Sequence, residues 1–150
     1  MEATNNRSYD VNSIQSLSPR EFTRLRPQVY CGSTEYSTQL LVEILANSVD
    51  EHRLGHGNKI TIVSRHAPHE YFVKVVDEGQ GFIPNSVRED GKTILEAAFS
   101  VLNTSGKFSE DGVYEGSSLG SFGIGSKLQT FLSSHSIVET YRDGMMEYVS

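Results

Sequence analysis

Apolar residues recur at helical spacing in several stretches of the chain. This spacing predicts three helices, over residues 37–54, 94–102 and 123–131. A shorter helix is predicted to begin at Pro19, with Ser18 as its N-cap, and to end before Pro27. The segment 28–33 is expected to be a loop that ends at Gly32.

Other stretches favour β-strands because they are rich in Ile, Val, Tyr and Phe. Residues 60–64 and 71–77 predict two strands joined by the turn-like segment HAPHE. A second hairpin is predicted over 137–141 and 145–149, around the triplet Arg-Asp-Gly. Residues 103–120 are polar and contain four glycines, so a long loop is expected there, which in a compact domain is either functional or disordered.

The longest predicted helix has two different faces. On a helix of about 3.6 residues per turn, four polar residues share one face; these are Glu43, Asn47, Asp50 and Glu51. Four apolar residues lie roughly opposite and are expected to face a core, namely Leu41, Ile44, Leu45 and Val49. A solvated polar face is the simpler interpretation of the first set, and two glycine-bearing loops downstream favour a binding role instead.

The first of these loops follows the predicted strand that ends at Asp77. The carboxylate of Asp77 can accept a hydrogen bond from an exocyclic amine, and Gly79 and Gly81 allow a flat ring to approach the backbone. An ordinary Asp-Gly turn is the alternative.

The second loop has the pattern GxxGxG, at Gly120, Gly123 and Gly125, just ahead of an apolar helix. Backbone N–H groups at the start of a helix bind phosphate well, and a simple helix cap is the alternative. The pattern is neither the GxGxxG of dinucleotide-binding folds nor a P-loop.

Composition narrows the possible functions. The 150 residues suffice for one domain, and the net charge of -6 argues against binding a nucleic-acid backbone. The single cysteine, Cys31, excludes an internal disulfide, favours a reducing compartment, and is expected to be a buried or half-buried apolar residue. No apolar run approaches the ~20 residues that span a bilayer, and no signal peptide is evident. The histidines lack metal-ligand spacing, and His66 and His69 are expected to be solvated.

Taken in order, the motifs resemble those of a known family. ExxxNSxDE on a helix, a strand ending DxGxGFIP, a GKF segment and GxxGIG resemble the GHKL ATPase superfamily, which has the Bergerat fold. The segment RPQVYCGST and the N-terminal SYD, followed by Ile14, are similar to the ATPase subunit of type IIA DNA topoisomerases, gyrase B or its topoisomerase IV counterpart.

The resemblance implies an α+β fold, a two-layer Bergerat sandwich whose mixed, mostly antiparallel sheet carries helices on one face. It implies an N-terminal dimerisation arm over 1–15 and an ATP-binding domain over 16–150. The family's domain continues further and is followed by a transducer domain, so a C-terminally truncated domain is expected.

The resemblance also implies residue roles for ATP and Mg²⁺. Glu43 matches the general base, Asn47 the Mg²⁺ ligand, and Asp77 the residue that receives the adenine amine. The remaining nucleotide contacts implied are Tyr9 of the arm, Asp50, Glu51, Gly79, Gly81, Ile83, Pro84, Ile94, Lys107, Gly120, Gly123, Ile124, Gly125 and Arg142. Two departures stand out: Gln80 occupies the position of a family arginine that pairs with the residue matched by Glu51, and Phe82 looks inserted.

The function implied is that of a cytoplasmic, ATP-dependent type II DNA topoisomerase, in which ATP-driven dimer closure powers strand passage. The partners implied are aminocoumarin-type inhibitors, the gyrase A or topoisomerase IV cleavage subunit, DNA, and a second copy through the arm. Two alternatives stay open: a non-catalytic nucleotide-binding interaction module, and another GHKL ATPase of the mismatch-repair, chaperone or histidine-kinase type.

Overall fold

The described part of the chain alternates helices with two hairpins. The computed structural model describes residues 16–32, 36–102 and 124–150. In chain order the elements are α1 (Pro19–Leu25), α2 (Gln28–Cys31), α3 (Tyr36–Arg53), β1 (Ile60–Ala67), β2 (Glu70–Asp77), α4 (Ile94–Ser100), α5 (Gly125–Leu132), β3 (Val138–Arg142) and β4 (Met145–Val149). The predicted arm, and the long loop over 103–120, lie outside these ranges.

The four strands form two separate antiparallel sheets. β1 pairs with β2 so that Ile60 lies opposite Asp77, and β3 pairs with β4 so that Val138 lies opposite Val149. The α+β class is therefore confirmed. The single mixed sheet that the resemblance implies is not formed among the described residues, because no described strand lies between the two hairpins. The Bergerat sandwich stays a prediction.

Local signals in the sequence produce the predicted ends of α1 and of the second hairpin. The amide of Glu21 donates to Ser18 Oγ at 3.3 Å, and the Ser18 amide donates to the Glu21 carboxylate at 2.8 Å, which completes a capping box. The Ser18 hydrogen bonds lower the pKa of Glu21. Between β3 and β4, Asp143 and Gly144 both have positive φ, +54° and +75°, as a two-residue type I′ hairpin turn requires.

The segment after α1 is helical rather than the expected loop. Pro27, at φ −60° and ψ −32°, already has helical geometry and is the N-cap of the four-residue α2. Proline suits this position because its fixed φ matches the first turn and its missing N–H would have no helical partner. Gly32, where the loop was expected to end, is instead the C-cap of α2, with φ +67°.

The core lies around α5, which packs against both α3 and α4. Its most buried apolar side chains are Ala46, Leu95, Ala97, Leu128 and Phe131. At the C-terminal end of α5, Arg24 of α1 donates from Nε to the Phe131 carbonyl at 2.6 Å and from Nη2 to the Ser133 carbonyl at 3.0 Å. These bonds supply the last carbonyls of α5 with partners that the helix itself cannot provide.

The predicted core face of α3 is only partly covered. All four of the apolar residues expected there are only half-buried, namely Leu41, Ile44, Leu45 and Val49. The most buried side chains of α3 are instead small or polar, with Ser48 and Asp50 each 4% exposed. The reason is that α3 packs against α5 on one side and β2 on another, so tertiary contacts rather than apolar periodicity decide which positions are covered.

Three smaller predictions can be compared with the structure. Cys31 is half-buried, and His66 and His69 are exposed, all as expected. Within the ranges that the structure describes, no helix combines the length and apolar character needed to cross a membrane.

Candidate functional site

Asp77 is held at the end of β2 by hydrogen bonds to both of its carboxylate oxygens. The Ser48 hydroxyl of α3 donates to Oδ2 at 2.6 Å, and the Gly79 amide donates to Oδ1 at 2.9 Å. The residue is nevertheless exposed. Because an ionised carboxylate can accept about four hydrogen bonds, the fixed Asp77 retains capacity for a further donor.

Glu51, which follows Ser48 by almost one turn of α3, anchors the loop after β2. Its Oε2 atom accepts the Gln80 amide at 3.3 Å and lies 3.1 Å from Nδ1 of His56. A Cβ atom at Gly79 would lie 2.9 Å from Glu51 Cγ and 2.8 Å from Asp77 Oδ1. Glycine is therefore required by the close packing of this loop on α3, and His56 is the basic side chain beside Glu51, for which the resemblance implies an arginine.

The next turn of the loop rests on β3. Gly81 has φ +66°, and a Cβ atom there would lie 2.8 Å from Thr140 Oγ1. The Phe82 amide donates to this hydroxyl at 2.9 Å, and Arg142 Nη1 donates to the Gly81 carbonyl at 3.3 Å. Arg142, predicted from the resemblance to lie at the rim of the site, thus contacts the loop from Gly79 to Gly81 directly. We call this loop the glycine loop.

The apolar residues predicted to form one wall of the site follow at once. Ile83 is 48% exposed, Pro84 is buried, and Ile94 is half-buried at the start of α4. The Ile94 amide donates to the Ser86 carbonyl at 2.8 Å, which brings the start of α4 close to the residues that follow Pro84.

Glu43 lies between α2 and the start of α5. Its Oε1 atom accepts from Gln39 Nε2 at 2.9 Å, and a Cβ atom at Gly125 would lie 2.1 Å from its Oε2 atom. Burial, and secondarily the charge of Glu43, raise the pKa of the Cys31 thiol. The carboxylate is half-buried, whereas Asn47, one helical turn along α3, is exposed.

The structure therefore arranges the predicted residues along one side of α3. Glu43, Asn47 and Glu51 are each one turn apart, so the outer two are separated by about 12 Å along the axis. Asp77 is joined to this helix through Ser48, and the glycine loop is joined to it through Glu51. Glu43 and Asn47 thus lie on the same helix that Asp77 contacts, and neither of them lines the pocket beside Asp77.

Some predicted residues do not take the expected place. Asp50 is 4% exposed, with Arg53 Nη1 4.0 Å from its Oδ1 atom, and this burial does not fit direct contact with a ligand. Ile124, by contrast, is half-buried and directly precedes α5, as the predicted glycine pattern ahead of an apolar helix requires. Four predicted residues lie outside the described ranges: Tyr9, Lys107, Gly120 and Gly123.

The donor set can be compared with what Mg²⁺ and a nucleotide need. Within the described residues, no group of three or more His, Cys, Asp or Glu side chains could hold a metal ion. Mg²⁺ commonly binds through one or two protein oxygens together with phosphates and waters, so the exposed amide of Asn47 fits that requirement. The missing Cβ atoms of Gly79 and Gly81 make room for Glu51 of α3 and Thr140 of β3, so the approach of a flat ligand to this loop stays a prediction.

The cavities of the chain only partly follow this arrangement. A pocket of about 160 Å³ is lined by Ser48 and Asp77 together with His52, His56 and Ile60, on the side of β1. A larger pocket of about 360 Å³ lies between α1, α4, α5 and the second hairpin, and none of the predicted site residues lines it.

Several polar residues at this site were missed by sequence reasoning: Ser48, His56, Thr140 and Glu147. Thr140 and Glu147 are the buried middle residues of β3 and β4, but apolar and polar residues do not alternate regularly enough in these short strands to mark them. Ser48 follows Asn47 directly in a predicted helix, and a mid-helix serine with a distant partner gives no signal either.

Comparison with known proteins finds similarity to topoisomerase subunits. No protein-family model matches the chain. Over 145 residues, 95% of its length, the chain is similar to curated proteins that are named as the B subunit of DNA topoisomerase 4. It spans only 21% of the length of these relatives.

Proteins of Staphylococcus aureus are among these relatives. The proteins of strains Mu50, N315 and MW2 are each 37% identical to the chain over the matched region.

Proposed function

We propose that the chain is the ATP-binding part of the B-type subunit of a type IIA DNA topoisomerase, with the Bergerat fold of the GHKL ATPases. The observation that carries the proposal is the contact between α3 and β2, where Ser48 Oγ lies 2.6 Å from Asp77 Oδ2. Asn47 and Glu43 lie on α3 as well. The similarity to the DNA topoisomerase 4 proteins along 95% of the chain supports it independently.

Asp77 is the residue proposed to recognise the base. Its oxygens already accept from Ser48 and Gly79, and these bonds fix its orientation before any ligand arrives. A prearranged acceptor loses little freedom on binding, so its hydrogen bond to an exocyclic amine contributes more to affinity. The glycine loop from Gly79 to Gly81 would lie beside the ring, and Ile83, Pro84 and Ile94 would supply apolar contacts.

Asn47 and Glu43 are proposed to act at the phosphates. Mg²⁺ held at Asn47 would neutralise phosphate charge, which is the main requirement of phosphoryl transfer besides positioning. Glu43, one turn away, would take the proton of an attacking water. Gln39 and the close approach of Gly125 restrict where the Glu43 carboxylate can lie.

The wider activity belongs to the longer protein of which the chain would be a part. ATP binding would close a dimer through the arm over 1–15, and closure would drive DNA strand passage with the cleavage subunit of gyrase or topoisomerase IV. Aminocoumarin-type inhibitors would compete at the same site, where Arg142 contacts the Gly81 carbonyl. The lid contacts at Lys107, Gly120, Gly123, Ile124 and Gly125, the arm contact at Tyr9, and Mg²⁺ dependence all belong to this proposal.

A thermal-shift titration tests the proposal. A non-hydrolysable ATP analogue with Mg²⁺ should raise the melting temperature of the chain, because ligand at ~100 times its dissociation constant adds ~2.7 kcal/mol to the free energy of unfolding. The Asp77→Asn variant should lose this shift, since the amide no longer offers two acceptor oxygens. Glu78→Gln is the matched control, because it removes the neighbouring exposed carboxylate and should keep the shift.

The contrary outcomes are distinct. The proposal of a nucleotide site that recognises adenine through Asp77 is removed if the melting temperature of the unsubstituted chain does not rise. It is also removed if the melting temperature of Asp77→Asn rises equally. A shift that is unaffected by Asp77→Asn, together with co-purification with the full-length relative, favours the non-catalytic interaction module. If the full-length parent neither supercoils nor decatenates DNA yet hydrolyses ATP, another GHKL ATPase is favoured.

A further inference from the structure

Two buried polar side chains lie directly opposite each other on the second hairpin. Thr140 of β3 pairs in register with Glu147 of β4, so both side chains point to the same face of the hairpin. They are 5% and 9% exposed. Each of them contacts the segment that runs from Gly81 to Thr93, and neither has a role assigned above.

Thr140 holds the beginning of that segment. Its hydroxyl accepts from the Phe82 amide at 2.9 Å and lies 3.4 Å from the Phe82 carbonyl, to which it can donate. The absence of a Cβ atom at Gly81 makes this approach possible, since such an atom would lie 2.8 Å from Thr140 Oγ1.

Glu147 holds the end of the proposed wall and the start of α4. Its Oε2 atom accepts from the Asn85 amide at 2.7 Å, and its Oε1 atom accepts from the Thr93 hydroxyl. Asn85 has φ +57°, a left-handed conformation that asparagine tolerates better than most residues. Thr93 is also the N-cap of α4, where it accepts the Glu96 amide.

Among the described residues, the Phe82 and Asn85 amides form no backbone hydrogen bond, so side chains of β3 and β4 supply their acceptors. A buried carboxylate costs free energy unless its oxygens are hydrogen-bonded, and here both oxygens of Glu147 are used. The hydroxyl and the buried carboxylate thus fix the two ends of four consecutive residues, Phe82 to Asn85.

We propose that the Thr140–Glu147 pair positions the backbone from Gly81 to Pro84, which carries the wall residues Ile83 and Pro84. The pair thereby sets the affinity of the chain for the adenine base. The inference rests on the proposed function, because it concerns the same site. Thr140 and Glu147 are positioning residues: each acts through the backbone that it holds. Their loss should weaken the contact with the base. Phosphate binding through the Mg²⁺ proposed at Asn47 should be unchanged.

Titration of a fluorescent ATP analogue against the chain, with unlabelled ATP and inorganic triphosphate as competitors, tests this inference. Thr140→Val keeps the shape of the side chain and removes the hydroxyl, so ATP affinity should fall about tenfold. Thr140→Ser keeps the hydroxyl and should restore most of that affinity. Triphosphate affinity should stay at the parental value in both variants.

A second pair of variants repeats the test from the other strand. Glu147→Leu removes both acceptors and should also lower ATP affinity about tenfold, whereas Glu147→Gln keeps one acceptor oxygen and should lower it less. This pair decides the matter if Thr140→Val does not fold. Urea denaturation of each variant shows whether the chain remains folded under the titration conditions.

The outcomes separate the inference from the function on which it rests. A parent chain that binds neither ATP nor triphosphate removes the proposed function. A parent that binds ATP, with Thr140→Val and Glu147→Leu variants that bind it equally well, overturns the positioning role alone. An equal loss of ATP and triphosphate affinity also overturns it, because that result indicates a general structural role.

Discussion

The Ser48 hydroxyl donates a 2.6 Å hydrogen bond to Oδ2 of Asp77, and this single contact joins the middle of α3 to the end of β2. Ser48 is 4% exposed, so the bond is shielded from water on the helix side. A hydrogen bond to a charged group contributes more to stability than one between neutral groups. The bond therefore matters both to the packing of the hairpin and to the orientation of Asp77.

Replacing Ser48 with alanine tests that contribution. The free energy of unfolding should fall by about 1–2 kcal/mol, since the loss of a charge-assisted hydrogen bond outweighs the better helix propensity of alanine. Urea denaturation followed by circular dichroism measures the change. Ser64→Ala, at an exposed position of β1, should have little effect. Equal stabilities for Ser48→Ala and the parent would contradict the assigned role.

Gly125 and Glu43 should be energetically coupled. A Cβ atom at position 125 would lie 2.1 Å from Glu43 Oε2, so Gly125→Ala must displace that carboxylate. Overpacking of this kind destabilises a protein by about 1–3 kcal/mol. In a Glu43→Ala background the oxygen is gone, although the contact with Cβ of residue 43 at 3.0 Å persists, so the loss should be smaller.

A double-mutant cycle of these two substitutions, measured by urea denaturation, gives the coupling free energy directly. The four chains serve as one another's controls. An identical effect of Gly125→Ala in both backgrounds would show that Glu43 does not occupy the space beside α5.

Lys127 should make the stability of the chain depend on alkaline pH. The side chain is 2% exposed, and burial lowers its pKa from 10.5 to about 8. Between pH 8 and 10.5 the unfolded chain consequently binds more protons at this residue than the folded chain does. The Lys127 contribution to the free energy of unfolding therefore rises with pH across this window, by about 2–3 kcal/mol.

The Lys127→Met variant isolates this contribution, because methionine keeps the apolar stem and cannot be protonated. Urea denaturation of parent and variant at pH 7.5 and 10 gives the difference in pH dependence, and other titrating groups cancel in it. The parent should gain stability relative to the variant as pH rises. A parallel pH dependence in the two chains would contradict the lowered pKa.

Arg24 should contribute to stability through the geometry of its guanidinium group. Its Nε and Nη2 atoms reach the carbonyls of Phe131 and Ser133 at 2.6 and 3.0 Å. Lysine carries a similar charge and lacks this fork, so Arg24→Lys should lower the free energy of unfolding by about 1–2 kcal/mol. Arg20→Lys, at an exposed position of the same helix, is the matched control for thermal denaturation and should be nearly neutral.

Short-range features were the most predictable part of the fold. The cap at Ser18, the end of α3 near Leu54 and the Asp-Gly turn of the second hairpin depend on residues within a few positions, and all are confirmed to within a residue. The helix α2 was missed because four residues carry too little periodicity to distinguish a single helical turn from a loop. The strands were found, although β1 extends further than predicted, to Ala67.

Long-range features were less predictable. Which face of α3 is buried depends on where α5 and β2 pack, and no pattern within residues 36–53 contains that information. The residues named for the site lie along one side of α3 and around Asp77, but the groups that hold them come from distant positions. Thr140 contacts Phe82 across 58 residues of sequence, and Glu147 contacts Asn85 across 62.

The bond between Arg24 and Phe131 spans 107 residues of sequence, whereas each hairpin pairs neighbours along the chain. Closing so large a loop costs more conformational entropy than closing a two-residue turn, because that cost grows with the logarithm of loop length. During folding, β3 and β4 should consequently meet early, and α1 should dock onto α5 near the end. Stopped-flow measurements on Arg24→Lys should then show faster unfolding with an unchanged folding rate.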